Sequence, residues 1–251
     1  SPRWTSTSST SSTGRIYVFD IETGTLQRTI ENPSSSLGQG GTGGDGFGES
    51  FEVHGNKLVA NCPNEEHPLY YTTTDIRYVA DGVVYIYDWT NGDLLQVYYN
   101  PSDSGFISDS FGKSVSIYGN HLVAGSDSGP NTTGTGGRIN HVHLFSLEKS
   151  YRVRGVRNIT FDNGVTLDSQ HMALQPAHAQ GDLLKKIYNP NTEAVTSDGF
   201  GNAVAIHGNF AIIGEQYGND TTGSGQGQVH IYDLTKRKIV SQKQIDAEAK
   251  R

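Results

Sequence analysis

Asp109-Ser-Phe-Gly-Lys-Ser-Val-Ser-Ile-Tyr-Gly-Asn-His-Leu-Val-Ala-Gly125 returns twice more in the chain, as DGFGNAVAIHGNFAIIG from Asp198 and DGFGESFEVHGNKLVAN from Asp45. Each copy reads as a strand after Phe-Gly (strand A), a Gly-Asn turn whose residues tolerate positive φ, and a second apolar strand (strand B). In the first copy quoted, Phe111, Val115 and Ile117 alternate onto one face, while Ser114, Ser116 and Tyr118 take the other. Self-similarity at tens of residues means stacked copies of one unit, none able to bury its apolar faces alone.

The rest of the unit follows downstream. Strand C occurs four times, as Ile16-Tyr-Val-Phe-Asp20, Val84-Tyr-Ile-Tyr-Asp88, Val142-His-Leu-Phe-Ser146 and Val229-His-Ile-Tyr-Asp233. Both of its faces are apolar or aromatic, which suits a strand covered on two sides by neighbouring sheets. Strand D occurs at Thr25 to Ile30, Asp93 to Tyr98 and Asp182 to Ile187, and each copy runs into Asn-Pro, at Asn32-Pro33, Asn100-Pro101 and Asn189-Pro190. Proline has no ladder donor and extends the residue before it, so it ends the outer strand.

Landmark spacings agree: Phe47 to Phe111 is 64 residues and Phe111 to Phe200 is 89, while Pro33 to Pro101 is 68 and Pro101 to Pro190 is 89. The excess in the later copy lies between strands C and D, at about 147–180. This segment reads as an insertion with a hairpin around Asp162-Asn-Gly164, and insertions in repeat folds are where partner-specific surface is added. Residues 1–13 read as a Ser/Thr-rich tail or linker, 14–243 as the repeat array and 244–251 as a polar C-terminal tail.

The order Phe-Gly strand, Gly-Asn turn, Leu-Val-Ala-Gly strand, Gly-rich loop and Val-Tyr-Ile-Tyr-Asp strand resembles the FG-GAP repeat of integrin-α-type propellers, closest to bacterial-style copies that end in Asn-Pro. The likeness covers residues 14 to 243. Asn61-Cys62-Pro63 and Gly125-Ser126-Asp127 depart from it, standing where the family shows Gly-Ala-Pro. The resemblance implies an all-β fold, a β-propeller of four-stranded blades arranged radially. Strands C and D followed by three full units make 14 strands, or three and a half blades against the family's seven. Such a chain belongs to a larger polypeptide, closes a ring with a second copy, or recruits a neighbour at its unpaired edges.

Composition bounds the partners. A formal charge of −7 argues against a nucleic-acid backbone, which needs clustered Lys and Arg. The short basic groups Arg152, Arg154 and Arg157, and Lys236 to Lys238, read as solvated loop or edge charges. Gly 31 and 34% hydrophobic residues suit short strands and turns. No apolar run approaches the ~20 residues of a membrane-spanning helix, so membrane insertion is not expected. A single cysteine, Cys62, excludes an intrachain disulfide and a CxxC site.

Candidate sites are sparse. The resemblance raises calcium, which family members bind through a DxDxDG-like run because Ca²⁺ needs six to eight converging oxygens. That run is absent, so the expectation is no cofactor; Asp127, Asn131, Glu215, Asn219 and Asp220 are the oxygen ligands the corresponding loops contain. Asp45, Asp109 and Asp198, two residues before each Phe-Gly, and Asp20, Asp88 and Asp233, closing strand C, read as turn caps. His141 and His143 share a strand face at a spacing zinc could use, yet His143 occupies the repeat's aromatic slot. His171 and His178 in the insertion have no evident partner. Asn131, Asn158 and Asn219 sit in Asn-x-Ser/Thr sequons, candidates for glycosylation in a secreted protein. Tyr70, Tyr71 and Tyr217 are candidate contact residues, since amphipathic rings serve protein and sugar partners alike.

No nucleophile elbow, phosphate loop or dinucleotide fingerprint appears. The function expected is a non-enzymatic extracellular or surface-exposed propeller for adhesion or assembly, through protein–protein or protein–glycan contacts. Loops 125–138 and 215–227 and the insertion would supply its display surface. A structural subunit of a filament, virion appendage or surface layer, joined through incomplete blades, is the alternative. A propeller-based glycan-active enzyme, which needs acidic residues converging on a central channel, comes third.

Overall fold

A computed structural model describes residues 14–33, 44–71, 76–80, 82–101, 110–126, 140–149, 159–160, 166–167, 181–190, 198–218, 225 and 227–235, with the backbone alone at 66–71, 76–80, 149, 159–160 and 166–167. These residues form an all-β chain of antiparallel sheets, consistent with FG-GAP blades. Sheet I pairs β1 (Arg15–Phe19) with β2 (Leu26–Glu31). Sheet II is ordered β3 (Phe51–His54), β4 (Lys57–Cys62), β7 (Val83–Asp88), β8 (Asp93–Tyr99). Between β4 and β7 lies a separate hairpin, β5 (Glu66–Tyr71) with β6 (Ile76–Ala80). Sheet III is ordered β9 (Val115–Tyr118), β10 (His121–Ser126), β11 (His141–Lys149), β14 (Gly181–Tyr188). Within the insertion, β12 (Ile159–Thr160) pairs antiparallel with β13 (Thr166–Leu167), one strand on each side of the Asp162-Asn-Gly164 segment where the sequence places a hairpin. Sheet IV is ordered β15 (Phe200–His207), β16 (Phe210–Glu215), β17 (Gln228–Asp233).

Strands B, C and D fall where the alternation placed them. Strand A differs: in sheets II and III it begins four residues after Phe47 and Phe111, which lie in the turn ahead of it, while β15 starts at Phe200 and carries a bulge before Ala203. Phe111, Val115 and Ile117 nonetheless meet in one cluster. The β5–β6 hairpin was not foreseen. Glu66-His-Pro-Leu-Tyr-Tyr contains a proline and no clean alternation, so neither periodicity nor a turn motif marks it.

The core lies between sheets. On β7, Val83, Tyr85 and Tyr87 join Ile16, Ile30 and Phe47 on the side of sheet I. Its other face, Val84 and Ile86, joins Phe111, Val115, Ile117, Leu122 and Phe145 on the side of sheet III. Sheet III repeats this, with Val123, Val142 and Leu144 against Phe200, Ile206, Ala211 and Ile213 of sheet IV. A strand flanked twice has no polar face, which is why strand C reads as continuously apolar.

The Phe-Gly pair acquires a physical meaning here. Gly48, Gly112 and Gly201 have φ of +78°, +81° and +85°, a region in which side chains are strained. A β-carbon there would also stand 3.0, 2.6 and 2.9 Å from Ile16, Val84 and Val142, the same strand-C position of each preceding sheet. The three copies therefore have equivalent surroundings, with the Phe buried in the seam and the Gly pressed against the sheet before it.

Candidate functional site

Polar pegs join consecutive sheets along strands β3, β4, β9 and β15. Ser50 Oγ accepts from Val115 N at 3.1 Å, and Asn61 Nδ2 donates to Gly112 O at 2.8 Å. Ser116 Oγ donates to Glu52 Oε2 at 2.6 Å and accepts from Ile206 N at 2.9 Å, so one hydroxyl links three sheets. Ser114 Oγ donates to Gly201 O at 2.7 Å. These serines are the polar half of the alternation seen in the sequence; buried between sheets, their hydroxyls satisfy strand N–H and C=O groups that the next sheet leaves open. Tyr118 packs between His54 and His207 with tilted rings, centroids at 4.6 and 4.5 Å, giving a ladder at one repeat position in sheets II to IV.

A second recurring device staples consecutive sheets. Asn189, after β14, donates through Nδ2 to Asp198 Oδ2 and, at 2.9 Å, to Glu215 Oε1. Asn32, after β2, donates in the same way to Asp45 Oδ2 and to Cys62 Sγ, each at 3.5 Å. The asparagine of Asn-Pro thus reaches the aspartate ahead of the next Phe-Gly and the last residue of the next strand B. Asp198 also caps its turn, accepting from Phe200 N at 3.0 Å. Burial, together with the Glu215 charge, holds its carboxyl above the usual range. Asp20, Asp88 and Asp233 cap as expected, each bonding a threonine N–H and hydroxyl. The Thr23 N–H lowers the carboxyl of Asp20, and the Thr90 hydroxyl that of Asp88.

A carboxylate then meets the second residue of strand C from two different sequence positions. Glu215, the last residue of β16, places Oε2 at 2.7 Å from His230 Nε2. Glu65, three residues beyond β4, accepts from Tyr85 OH at 2.6 Å through Oε1. In sheet III, Ser126 Oγ faces His143 Nδ1 at 3.4 Å. His141 and His143 lie on one face with ring centroids 4.6 Å apart, and His143 packs edge-on against Phe111. Burial holds His143 well below the usual imidazole range, so the ring is neutral and serves the aromatic slot.

One face of sheet IV is apolar and open to solvent. On sheet IV, Ala205, Ile212 and Ile231 are register partners, as are Gly214 and Val229, and these form the face turned away from sheet III. Ile212 is 38% exposed, Val229 69% and Ile231 68%, and Phe210 at 50% extends the patch. The equivalent residues of sheet III, Val123, Val142 and Leu144, are 0%, 0% and 5% exposed because sheet IV covers them. At the other end, sheet I comprises strands C and D among the described residues, and Phe19, at the position of Tyr87 in sheet II, is 58% exposed.

Of the sequence candidates, Tyr217 is exposed and its N–H donates to Asp198 O at 2.7 Å. Tyr70 and Tyr71 lie on β5, opposite Arg77 and Ile76; their side chains fall outside the described residues. So do Asp127, Asn131, Asn158, Asn219 and Asp220, and with them the loop oxygens considered for calcium and the three sequons. Glu215, read as a loop ligand, is instead a strand residue 1% exposed, engaged by Asn189 and His230. Among the described residues no group of three or more His, Cys, Asp or Glu could hold a metal ion, and no helix is long and apolar enough to cross a membrane. The seam staples and the open face were missed in the sequence. The signal for the first was the fixed phase of Asn-Pro and Asp-x-Phe-Gly; for the second, alanines and isoleucines stand in the last copy where serines and Val/Leu stand in the one before.

No curated protein matches the chain. The family model of the FG-GAP repeat matches residues 191–232. That span holds β15, β16 and nearly all of β17, and on it the chain carries an FG-GAP repeat.

Proposed function

We propose that the chain is a non-enzymatic segment of a β-propeller, surface-exposed or extracellular, whose blades hold loops rigidly for adhesion or assembly and whose last sheet is built to receive another of its kind. The observation that carries this is the outer face of sheet IV. It repeats, position by position, a face that is covered in sheet III, yet its isoleucines are two-fifths to two-thirds exposed. A contiguous apolar patch on a sheet marks an interface. Continuity with the seams between sheets II and III and between III and IV favours, as the occupant, an apolar β-sheet of the same repeat type. Rigid display lowers the ordering cost of association, and the pegs and staples are what make the array rigid. Protein or glycan surfaces are the partners such a display would meet, with Tyr217 as the exposed aromatic beside the seam.

In solutions of the 251-residue chain alone, the source of such a sheet is a second copy. Sedimentation should show concentration-dependent association that Ile231→Lys removes while thermal stability is kept. A wild-type chain that stays monomeric at every concentration, or a variant that associates as before, would refute the assignment of this face.

A further inference from the structure

Glu65 is a buried carboxyl with one oxygen left without a hydrogen-bond partner. It is 1% exposed; Oε1 accepts from Tyr85 OH, and the open oxygen is Oε2. The titratable groups around it among the described residues are Asp45 ahead of Phe47, Cys62 at the end of β4, and Tyr85 and Tyr87 on β7. None of these is a cation, and Asp45 repels it. Glu65 also stands at the root of the β5–β6 hairpin: its C=O accepts from Gly82 N at 3.2 Å, closing the base from which the hairpin projects. Its own N–H donates to Cys62 O at 3.1 Å, and Asn64 N donates to Asp45 O at 3.1 Å, so the root is tied to the seam between sheets I and II.

We propose that Glu65 is a proton-operated latch, neutral when the hairpin root is closed over the seam and ionised when the root opens to water. A neutral carboxyl can occupy a buried site beside neutral donors; an ionised one there has no cation among the described residues to offset its charge. Burial pushes the Glu65 carboxyl up to about 7, offset in part by hydrogen bonding from Tyr85 and Cys62 and reinforced by the charge of Asp45. Because the closed-state value is raised above that of a hydrated carboxyl, the stabilisation is complete below the ordinary carboxylate range and is lost as pH rises through about 7.

Cys62, buried and the chain's single cysteine, reports the opening. Labelling by a thiol reagent, corrected with the same chain unfolded in urea for thiolate content, should rise on the order of tens-fold between about pH 5 and pH 8. Glu65→Gln, which keeps the shape and removes the titration, should abolish that rise. Asp45→Asn, which removes the repelling charge, should move it to lower pH and serves if the glutamine variant does not fold. A flat wild-type profile, a rise that survives in Glu65→Gln, or a rise unmoved by Asp45→Asn would overturn the latch.

Discussion

Sheets III and IV present the same face in the same direction, one covered and one open. Ser116, Val123, Gly125, Val142 and Leu144 correspond to Ala205, Ile212, Gly214, Val229 and Ile231. In sheet III the serines reach the next sheet's backbone, and a β-carbon on Gly125 would stand 2.1 Å from Gly201 O. In sheet IV the serines have become alanines, and a β-carbon on Gly214 would meet nothing nearer than Ala203 of its own sheet, at 3.5 Å. Pegs that fit a particular neighbour have been exchanged for apolar surface, while the alternation that makes the face has been kept. The difference separates what a blade needs in order to fold from what it needs in order to be joined.

Substitutions at equivalent positions of the two sheets should have unequal effects. Leu144→Ala should cost about 2–5 kcal/mol, because it empties a packed seam. Ile231→Ala, at the matching position, should stay within about 0.5 kcal/mol in the dilute chain. Denaturant unfolding of the two variants side by side reads the contrast, and comparable losses would mean that sheet IV is covered. Gly125→Ala should cost about 3 kcal/mol, since the new methyl meets backbone and the seam must part, whereas Gly214→Ala should be close to neutral by the same measurement. Ser116→Ala should cost about 1–3 kcal/mol by leaving Ile206 N–H and Glu52 without their shared hydroxyl. Ala205→Ser, which restores the peg in sheet IV, should leave the stability of the dilute chain unchanged and alter only association.

Much of this fold was legible. Strand C was found four times because a doubly flanked strand must be apolar on both faces, and Phe47, Phe111 and Phe200 fixed the phase because only glycine fits the position after them. Asn32 and Asn189 were read as strand ends; their amides turned out to bridge sheets. That role depends on Asp45, Cys62, Asp198 and Glu215, contacts too distant in sequence for a local pattern to reveal. The carboxylate at the strand-C slot was less legible still. Sheet IV supplies it from Glu215 with Gly218 beside it, whereas sheet II supplies it from Glu65 with Cys62 at the strand end, so a column-by-column comparison of copies sees two unrelated residues. The open face was legible only as composition, Ala and Ile in place of Ser and Leu, and its exposure depends on what lies against it in space.

If the outer face of sheet IV is the repeat's own seam left open, the native mass of the 251-residue chain will depend on concentration. The prediction is a mass that grows beyond 27.2 kDa as concentration rises and returns to it in Ile231→Lys. A constant 27.2 kDa particle, with Ile212 and Ile231 still open to solvent, would contradict it.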